Sequence, residues 1–257
     1  MSVLYETRDN IAFITLNRPE SMNALDPESF EELGRIWEDF RDDPDLRVAI
    51  VTGTGDRAFS AGNDLKRMAQ RAHPVLEYFF PTERRRLEHG GIELWKPIIA
   101  AVNGYCLAAG LELALACDLR IASENASFGA LEVKRGLLHG AGALRLTRAI
   151  PMAVAMEMLL TGERISAQEA YRVGLVSRLV SRAELLPTAE RLARIIADNA
   201  PLAVRATKEI AVRGLSMNLA DGLRLRDSMS RLLFQTEDSR EGPRAFAEKR
   251  PARYQGR

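Results

Sequence analysis

The sequence has few cysteines and no unbroken apolar run, and each shortage excludes a class of protein. Its 257 residues include only two cysteines, Cys106 and Cys117, which lie in apolar surroundings without C-x-x-C spacing. They are predicted to be buried free thiols in a reducing compartment rather than disulfides or metal ligands. The most apolar stretch, residues 97–119, is interrupted by Asn103 and Glu112, so it lacks the pattern of a membrane span.

Charge of one sign is also lacking. Lysine and arginine total 36, aspartate and glutamate total 35, and the formal net charge is +1. This balance gives no reason to expect nucleic acid or an anionic membrane as a partner. The N-terminus, MSVLYETRDNIAFITL, has no basic segment before an apolar run, so no signal peptide is expected. We therefore expect a cytoplasmic protein.

The familiar motifs of metal and nucleotide sites are missing as well. The three histidines, His73, His89 and His139, lack metal-ligand spacing, and there is neither a G-x-S-x-G elbow nor a phosphate-binding loop. The G-x-G within HGAGAL, residues 139–144, follows no clear strand and is a weak indication of a dinucleotide fold. No metal and no separately bound cofactor are predicted.

What is present is a repeated order of strand, strand and helix, which is typical of an α/β fold. The apolar patterns predict one helix over residues 27–43 and strands at 11–16, 48–53, 97–104, 119–123 and 126–131. One apolar face of that helix is formed by Phe30, Leu33, Ile36, Trp37 and Phe40. The sequence therefore predicts a sheet covered by amphipathic helices.

Beyond the HGAGAL segment, strand signals nearly vanish and helical patterns dominate. Ser166 and Glu169 have the spacing of a capping box at a helix start, and a later amphipathic helix is predicted to begin at Thr188. We divide the chain into an α/β core with the active site, residues 1–195, and a helical region, residues 196–257. The helical region depends on apolar faces, so we expect it to serve oligomerisation and pocket closure.

The segment of residues 66–95 is the least regular part of the core. Its prolines, its glycines and the aromatic residues at 78–80 fit either a flap over a pocket or a surface helix and loop. The arginines at 84–86 could meet phosphate, although a solvated helix face is the commoner explanation for such a run.

Glu112 is a carboxylate in a segment that is otherwise rich in alanine and leucine. On a helix, its neighbours at i−4, i−3 and i+4 are Ala108, Ala109 and Ala116, and none of them can neutralise it. Burying an unpaired carboxylate is costly and tends to raise its pKa. Glu112 therefore either pairs with an arginine from elsewhere in the chain or is a poised acid or base in a cleft.

Two glycine-containing turns, SAGNDL and LAAGLE, open helices and expose backbone N–H groups. Two such donors converging on one point would form an oxyanion hole. Glu112 and a second acid, Glu132, could hold a water molecule opposite it. This arrangement suits the addition of water to a double bond conjugated to a carbonyl, with one acid accepting a proton and the other donating one. Close carboxylates would also raise the pKa of one of them.

Several segments of the sequence resemble the enoyl-CoA hydratase/isomerase (crotonase) family. In chain order they are LNRPESMNAL, FSAGNDLKRM, KPIIAAVNGYCLAAGLELALACDLRIAS, ASFGALEVKRGLL, LLTGERISAQEAYRVGLVSRLV, NAPLAVRATKEI and AFAEKRPARY. FSAGNDL and NGYCLAAGLELALACD are also similar to the carnitinyl-CoA dehydratase branch. The resemblance implies the crotonase fold, a β-β-α spiral followed by helices that build a trimer or a dimer of trimers. It also implies a coenzyme A thioester as the substrate.

The resemblance assigns roles to residues by motif position. Asn63 and Ala109 match the residues whose N–H groups form the family's oxyanion hole, and Glu112 and Glu132 match its two hydratase glutamates. Keeping both acids favours hydration, or the reverse dehydration, by an enoyl-CoA hydratase. Seven further positions match residues that lie along coenzyme A in the family: Ala24, Ala61, Asp64, Leu65, Lys66, Phe246 and Lys249. The last two match residues that come from a neighbouring subunit.

Departures from the family pattern concern the same site. Ala108 and Ala109 stand where glycines are usual, although Ala109 keeps its N–H. Leu131 replaces the proline that usually precedes the second glutamate. Asn63 replaces a residue that is often small and apolar; its amide either contacts a polar acyl group or points into solvent, and the second is expected. His139 lies near the family's glycine-rich turn, where a local structural role is expected.

Other functions remain open. Another crotonase-family reaction, by an isomerase or by a dehydratase acting on a hydroxyacyl-CoA such as carnitinyl-CoA, would use the same fold. A non-catalytic relative that binds CoA esters would fit the alanines at 108 and 109. An RNA-binding relative is disfavoured, because its lysine-rich first helix is here the mainly acidic ESFEELGRIWEDFRDD.

Overall fold

The computed structural model describes residues 1–68 and 86–257. Within these ranges the chain forms ten strands and ten α-helices. The strands are β1 Val3–Arg8, β2 Ile11–Leu16, β3 Val48–Gly53, β4 Ala58–Ser60, β5 Ile98–Val102, β6 Tyr105–Leu107, β7 Leu119–Ser123, β8 Ser127–Gly129, β9 Arg164–Ser166 and β10 Arg178–Val180. The helices are α1 Pro27–Asp42, α2 Leu65–Met68, α3 Ala109–Ala116, α4 Gly140–Ala149, α5 Met152–Thr161, α6 Ala167–Arg172, α7 Arg182–Ala197, α8 Pro201–Gly214, α9 Leu219–Leu233 and α10 Glu237–Ala247.

The strands are divided between a large and a small sheet. The large sheet has the order β1-β2-β3-β5-β7-β10, antiparallel between β1 and β2 and parallel elsewhere. The small sheet has the order β4-β6-β8-β9, with β9 antiparallel to β8. Every residue of β3 and of β5 is buried, as expected for central parallel strands that are covered on both faces.

The chain alternates between the two sheets, which produces a spiral. β3, β5 and β7 belong to the large sheet, and each is followed directly by a strand of the small sheet, namely β4, β6 or β8. A helix then follows: α2 after β4 and α3 after β6. The predicted repeat of strand, strand and helix is therefore confirmed, and each repeat ends in a turn beside the small sheet.

Helices cover both faces of the large sheet. On one face, α7 packs Leu185, Ala189 and Ala193 against apolar side chains of β2, β3, β5 and β7. On the other face lies a larger apolar cluster to which α1 and α3 contribute. The apolar face predicted for α1 is confirmed, since Trp37 and Phe40 are among the most deeply buried large side chains. The core is thus a layered α/β structure.

The sequence analysis predicted about half of the strands and missed the N-terminal strand and most of the short ones. β2, β3 and β7 have the predicted bounds, whereas β1, β4, β6, β9 and β10 were not predicted. The helix predicted from Thr188 begins at Arg182, because Pro187 is accommodated inside α7. The boundary drawn at residue 195 falls within the last turn of α7. The predicted aromatic flap at 78–80 lies outside the described residues.

The C-terminal helices are attached to the core by a few polar contacts. On α8, Lys208 Nζ lies 2.8 Å from Asp118 Oδ2 and donates to the Lys96 carbonyl. Arg47 donates to the carbonyls of Ala197 and Tyr254. None of the helices in the described part of the chain has the length and apolar character needed to cross a membrane.

Candidate active site

The two predicted turns lie against each other. A Cβ atom added at Gly62 would be 2.7 Å from Ala108 Cβ and 3.2 Å from the Ala109 nitrogen, and one added at Gly110 would be 2.6 Å from the Ser60 carbonyl. This close approach requires glycine at positions 62 and 110. Ala108 caps α3 with φ 50° and ψ −125°, a conformation that side chains rarely adopt. The turn after β4 and the start of α3 therefore form one unit.

Two backbone donors in this unit are unpaired. The residues flanking Asn63 are fixed, since Leu25 donates to the Gly62 carbonyl at 2.8 Å and Asp64 donates to the Leu25 carbonyl at 2.8 Å. In residues 1–68 and 86–257, no group accepts a hydrogen bond from the N–H of Asn63 or of Ala109. The two donors predicted for an oxyanion hole thus belong to adjoining turns and have no acceptor among the described residues.

Glu112 is buried one turn into α3, with 7% of its surface exposed. Its Oε1 accepts a hydrogen bond from the Gly142 N–H at 3.0 Å, and its Oε2 lies 3.9 Å from His89 Nε2. No arginine forms an ion pair with it among the residues that the structure describes. The arginine partner that the sequence left open for Glu112 is thus not found among these residues. Its carboxylate instead faces polar groups of α4 and of the segment before β5.

Glu132 begins a short 3-10 helix, Glu132–Arg135, and lies beside His139. Glu132 Oε1 is 2.7 Å from His139 Nδ1, and the imidazole is 2% exposed. Glu132 Oε2 and His139 Nε2 are both buried without a hydrogen-bond partner in the described parts of the chain. His139 was expected to have a local structural role, and in the structure its ring contacts the second acid directly.

A single turn links the two acids. His139 caps α4, and the third residue of this helix, Gly142, donates its N–H to Glu112. A Cβ atom at Gly140 would lie 3.5 Å from Glu112 Oε1. Glu112 and Glu132 are 20 residues apart in the chain, yet the side chains of both contact residues 139–142. The start of α4 therefore fixes the relative position of the two carboxyl groups.

Comparisons with known proteins agree with this geometry. The family model for enoyl-CoA hydratase/isomerase matches residues 6–257. The chain belongs to the enoyl-CoA hydratase/isomerase family. The chain is 48% identical over 257 residues to an (E)-benzylidenesuccinyl-CoA hydratase from Thauera aromatica, with 100% of both chains covered. It is 44% identical to a carnitinyl-CoA dehydratase from Proteus mirabilis (strain HI4320), covering 98% of this chain and 97% of the relative.

Solved structures of the enoyl-CoA hydratase/isomerase family have the same fold. An enoyl-CoA hydratase from Bacillus anthracis matches with a TM-score of 0.93 and 38% identity over 100% of both chains. An enoyl-CoA hydratase from Mycobacterium tuberculosis H37Rv matches with a TM-score of 0.90 and 40% identity, covering 100% of this chain and 99% of the other. The predicted crotonase fold is confirmed.

The pKa of Glu112 is not raised by its burial. Burial acts to raise it, but contact with His89 and the hydrogen bond from the Gly142 N–H outweigh that effect, so the pKa lies below its ordinary value. The rise expected for an unpaired buried carboxylate is absent because backbone and imidazole groups compensate the charge. Burial does raise the pKa of the neighbouring Glu88, which the sequence analysis did not single out.

The residues assigned to coenzyme A in this family lie in two places. Ala24 lies in the turn before α1 and Ala61 in the turn after β4, and the two turns are joined by the Ala61 N–H, which donates to the Met22 carbonyl at 3.0 Å. Leu65 and Lys66 are exposed at the start of α2. Phe246 and Lys249 are exposed at the end of the last helix. Their role at a neighbouring subunit stays a prediction.

Asp64 is braced by an arginine that sequence reasoning missed. Arg18 donates to Asp64 Oδ2 at 2.9 Å and to the Ala24 carbonyl at 2.8 Å, and it also lies 3.3 Å from Asp26. Burial acts to raise the pKa of Asp64, but the hydrogen bonds from Arg18 and the Arg67 N–H lower it below its ordinary value. Arg18 therefore connects the LNRPESMNAL motif to the SAGNDL turn after β4.

Asn63 departs from the expectation in one respect. Its side-chain Oδ1 is buried and has no hydrogen-bond partner among the described residues. The oxygen of the amide therefore does not point into solvent. An acceptor that is withdrawn from water and left unpaired is costly, so a ligand or a water molecule that donates a hydrogen bond would stabilise it.

Proposed function

We propose that this protein is an enoyl-CoA hydratase, which adds water reversibly and in the syn sense to a trans-2-enoyl-CoA to give a 3-hydroxyacyl-CoA. Relatives named as hydratases and dehydratases of CoA esters support the reaction class. The observation that carries the proposal is the pairing of two carboxyl groups, Glu112 and Glu132, through one turn, together with two unpaired N–H groups in the adjoining turns.

The unpaired donors would stabilise the charge that develops on the substrate. When water adds to the β-carbon of an enoyl thioester, electron density moves to the thioester oxygen and an enolate forms. The N–H groups of Asn63 and Ala109 would donate hydrogen bonds to that oxygen. Fixed backbone donors of this kind need no reorganisation during the reaction, which is why they contribute strongly to catalysis.

The two acids would have different roles in hydration. Glu112 has a lowered pKa and two compensating neighbours, so it is suited to act as the carboxylate that takes a proton from water. Glu132 keeps Oε2 free of protein partners, so it is suited to deliver a proton to the α-carbon. In the reverse dehydration the two roles are exchanged.

Substrate binding and assembly follow from the same proposal. Coenzyme A would lie along Ala24, Ala61 and the residues 64–66, and no further cofactor is required because CoA is part of the substrate. Phe246 and Lys249 would reach the nucleotide of a neighbouring subunit in a trimer or a dimer of trimers. The support for this is that Phe246 is 87% exposed in the single chain.

A second candidate differs in the acyl group. Asn63 Oδ1, which is buried and has no partner among the described residues, favours a CoA ester whose acyl chain carries a hydrogen-bond donor near the reacting carbons. Relatives are named for benzylidenesuccinyl-CoA and carnitinyl-CoA, which supports an acyl group other than a simple enoyl chain. The reaction would again be hydration or dehydration, with the same two acids.

The test is the loss of the conjugated enoyl-thioester absorbance with crotonyl-CoA, run beside a longer enoyl-CoA and an enoyl-CoA with a polar acyl group. Glu112→Gln and Glu132→Gln should each lower kcat by about 10²- to 10⁴-fold, with the exposed Glu124→Gln as a matched control. Turnover of only the polar ester would select the second candidate. Absorbance that rises with a 3-enoyl-CoA and does not fall with crotonyl-CoA would identify an isomerase instead.

A further inference from the structure

We propose that His139 is a positioning residue for Glu132. Its neutral ring donates a hydrogen bond from Nδ1–H to Glu132 Oε1, which leaves Oε2 as the oxygen that exchanges a proton during the reaction. The inference rests on the proposed function in so far as Glu132 is an acid of that reaction. The hydrogen bond is assigned independently of that function, from the 2.7 Å contact between Nδ1 and Oε1.

The surroundings of the ring select this tautomer. His139 Nε2 is buried and has no partner among the described residues, and a proton on it would be an unpaired buried donor. The ring also lies against the backbone of α4, because a Cβ atom added at Gly142 would be 2.1 Å from Nε2. The positive end of this ten-residue helix favours a lone pair there. The proton is therefore on Nδ1.

The two oxygens of Glu132 are distinguished by this contact. Oε1 is occupied by the imidazole, whereas Oε2 has no partner in the described parts of the chain. When Glu132 is protonated, its carbonyl oxygen is a better acceptor than its hydroxyl oxygen, so the hydrogen bond from Nδ1–H favours Oε1 as the carbonyl. The proton is then held on Oε2. The imidazole thus orients the acid in both of its ionisation states.

The same ring sets the distance between the acids. It packs on Gly142, whose N–H holds Glu112 at 3.0 Å. Leu131 stands where the family pattern has a proline, so the backbone before Glu132 has more conformational freedom. The buried His139 ring restores that restraint through its hydrogen-bond contact with Glu132. His139 therefore connects both carboxyl groups to one rigid helix start.

Among the described residues, few charged groups lie near the pair. Glu112 faces it from α3, and Glu88 and His89, in the segment before β5, interact with Glu112. On the 3-10 helix itself, Lys134 is paired with Glu163, and the adjacent cation is Arg135. A change at the Glu132 carboxyl after a substitution at His139 is therefore attributable to the lost hydrogen bond.

The first experiment compares His139→Leu with His139→Asn. The asparagine amide nitrogen is as many bonds from Cβ as Nδ1 is in histidine, so it can restore the donor. For crotonyl-CoA, or for the ester that the enzyme turns over, kcat should fall about 10- to 100-fold in His139→Leu and recover largely in His139→Asn. KM should change less than about twofold. Equal kcat loss in both variants would overturn the proposal.

The second experiment does not depend on turnover. The ¹³C carboxyl resonance of Glu132, identified by its loss in Glu132→Gln, is recorded at one pH in wild type and in both variants. Loss of the Nδ1–H donor should shift this resonance in His139→Leu, and the amide donor should return it towards the wild-type position in His139→Asn. An unmoved resonance in His139→Leu would refute the proposal even if the hydratase assay succeeds.

The third measurement uses the wild-type protein alone, in case a variant does not fold. ¹⁵N shifts of the His139 ring should show a protonated Nδ1 and an unprotonated Nε2 at neutral pH. A proton on Nε2 would contradict the proposal. Absence of turnover with every enoyl-CoA would refute the proposed function, while the carboxyl resonance and the ring tautomer would still decide the role of His139.

Discussion

The α/β core and the C-terminal helices differ sharply in how much they bury. α1, with 16 residues, buries six of them, including Leu33, Trp37 and Phe40. α9, with 15 residues, buries none. Large apolar side chains remain exposed on and between the last helices, namely Leu215, Met217, Leu219, Leu223, Leu232, Phe234 and Phe246. α1 is thus packed within the single chain, whereas α9 and its neighbours leave large apolar side chains exposed, as the proposed oligomer would require.

This difference in burial suggests that the core serves folding and chemistry and that the C-terminal helices serve assembly and substrate binding. All four candidate catalytic residues, Asn63, Ala109, Glu112 and Glu132, lie in turns and helices of the core. The helical region contributes only Phe246 and Lys249 to the predicted binding site. Changes in the core should therefore affect folding and chemistry, and changes in the helices should affect assembly and substrate affinity. The following predictions test that separation.

The largest effect on folding is expected in the core. Trp37→Ala removes a large side chain that is 1% exposed and should lower the free energy of unfolding by about 3–5 kcal/mol. Leu223→Ala, on α9, should cost less than about 1 kcal/mol in the isolated chain. Urea denaturation at low protein concentration measures both. Similar losses in the two variants would mean that the helical region folds as part of the core.

Assembly should fail when the exposed apolar faces become charged. The double substitution Leu232→Glu and Phe234→Glu should weaken subunit association roughly 100-fold, because two charges would be buried in an apolar interface. Sedimentation velocity should show the mass of one chain with unchanged helical circular dichroism. Arg224→Ala, at an exposed position of the same helix, is the control. An unchanged oligomer would show that this surface is not an interface.

A smaller effect is expected where the helical region is attached. Lys208→Met loses the ion pair to Asp118 and the hydrogen bond to the Lys96 carbonyl, which should cost about 1–3 kcal/mol. Hydrogen exchange should then show faster opening of α8, with β3 and β5 still protected. Uniform loss of protection would mean that α8 and the sheet open together.

The smallest effect is expected at the predicted tail contact. Lys249→Ala should raise KM for a CoA ester about fivefold and change kcat less than twofold, because an exposed charge contributes about 1 kcal/mol or less. The difference from wild type should shrink at high salt. The exposed Arg253→Ala controls for general loss of charge. A fall in kcat with KM unchanged would contradict a role in CoA binding.

The sequence predicted local features well and long-range contacts poorly. β2, β3 and β7 are apolar runs with turn residues at their ends, so their bounds could be predicted. β9 and β10 are only three residues long and partly exposed, and no apolar pattern marks them. Short strands of this kind exist because the neighbouring strand supplies their hydrogen bonds, which a local pattern does not record.

The same limit applies to the candidate site. The two turns and the two acids could be identified from motifs, because each motif is contiguous. The contact of Arg18 with Asp64 spans 46 residues, and the pairing of Glu132 with His139 depends on a 3-10 turn that closes at Gly136 with φ 69°. Neither follows from periodicity or spacing. The orientation of the Asn63 amide likewise depends on packing between two turns.

The proposed oxyanion donors are main-chain groups, and this has a consequence for genetic screens. An alanine scan deletes side chains, so Asn63→Ala would keep the N–H intact, and position 109 is already alanine. Both sites would be scored as tolerant, although the groups they contribute would carry much of the rate enhancement. Replacing the amide at residue 63 or 109 by an ester, through chemical synthesis or semisynthesis, would remove the donor itself. Mutational tolerance in this enzyme would therefore measure side chains and overlook the backbone.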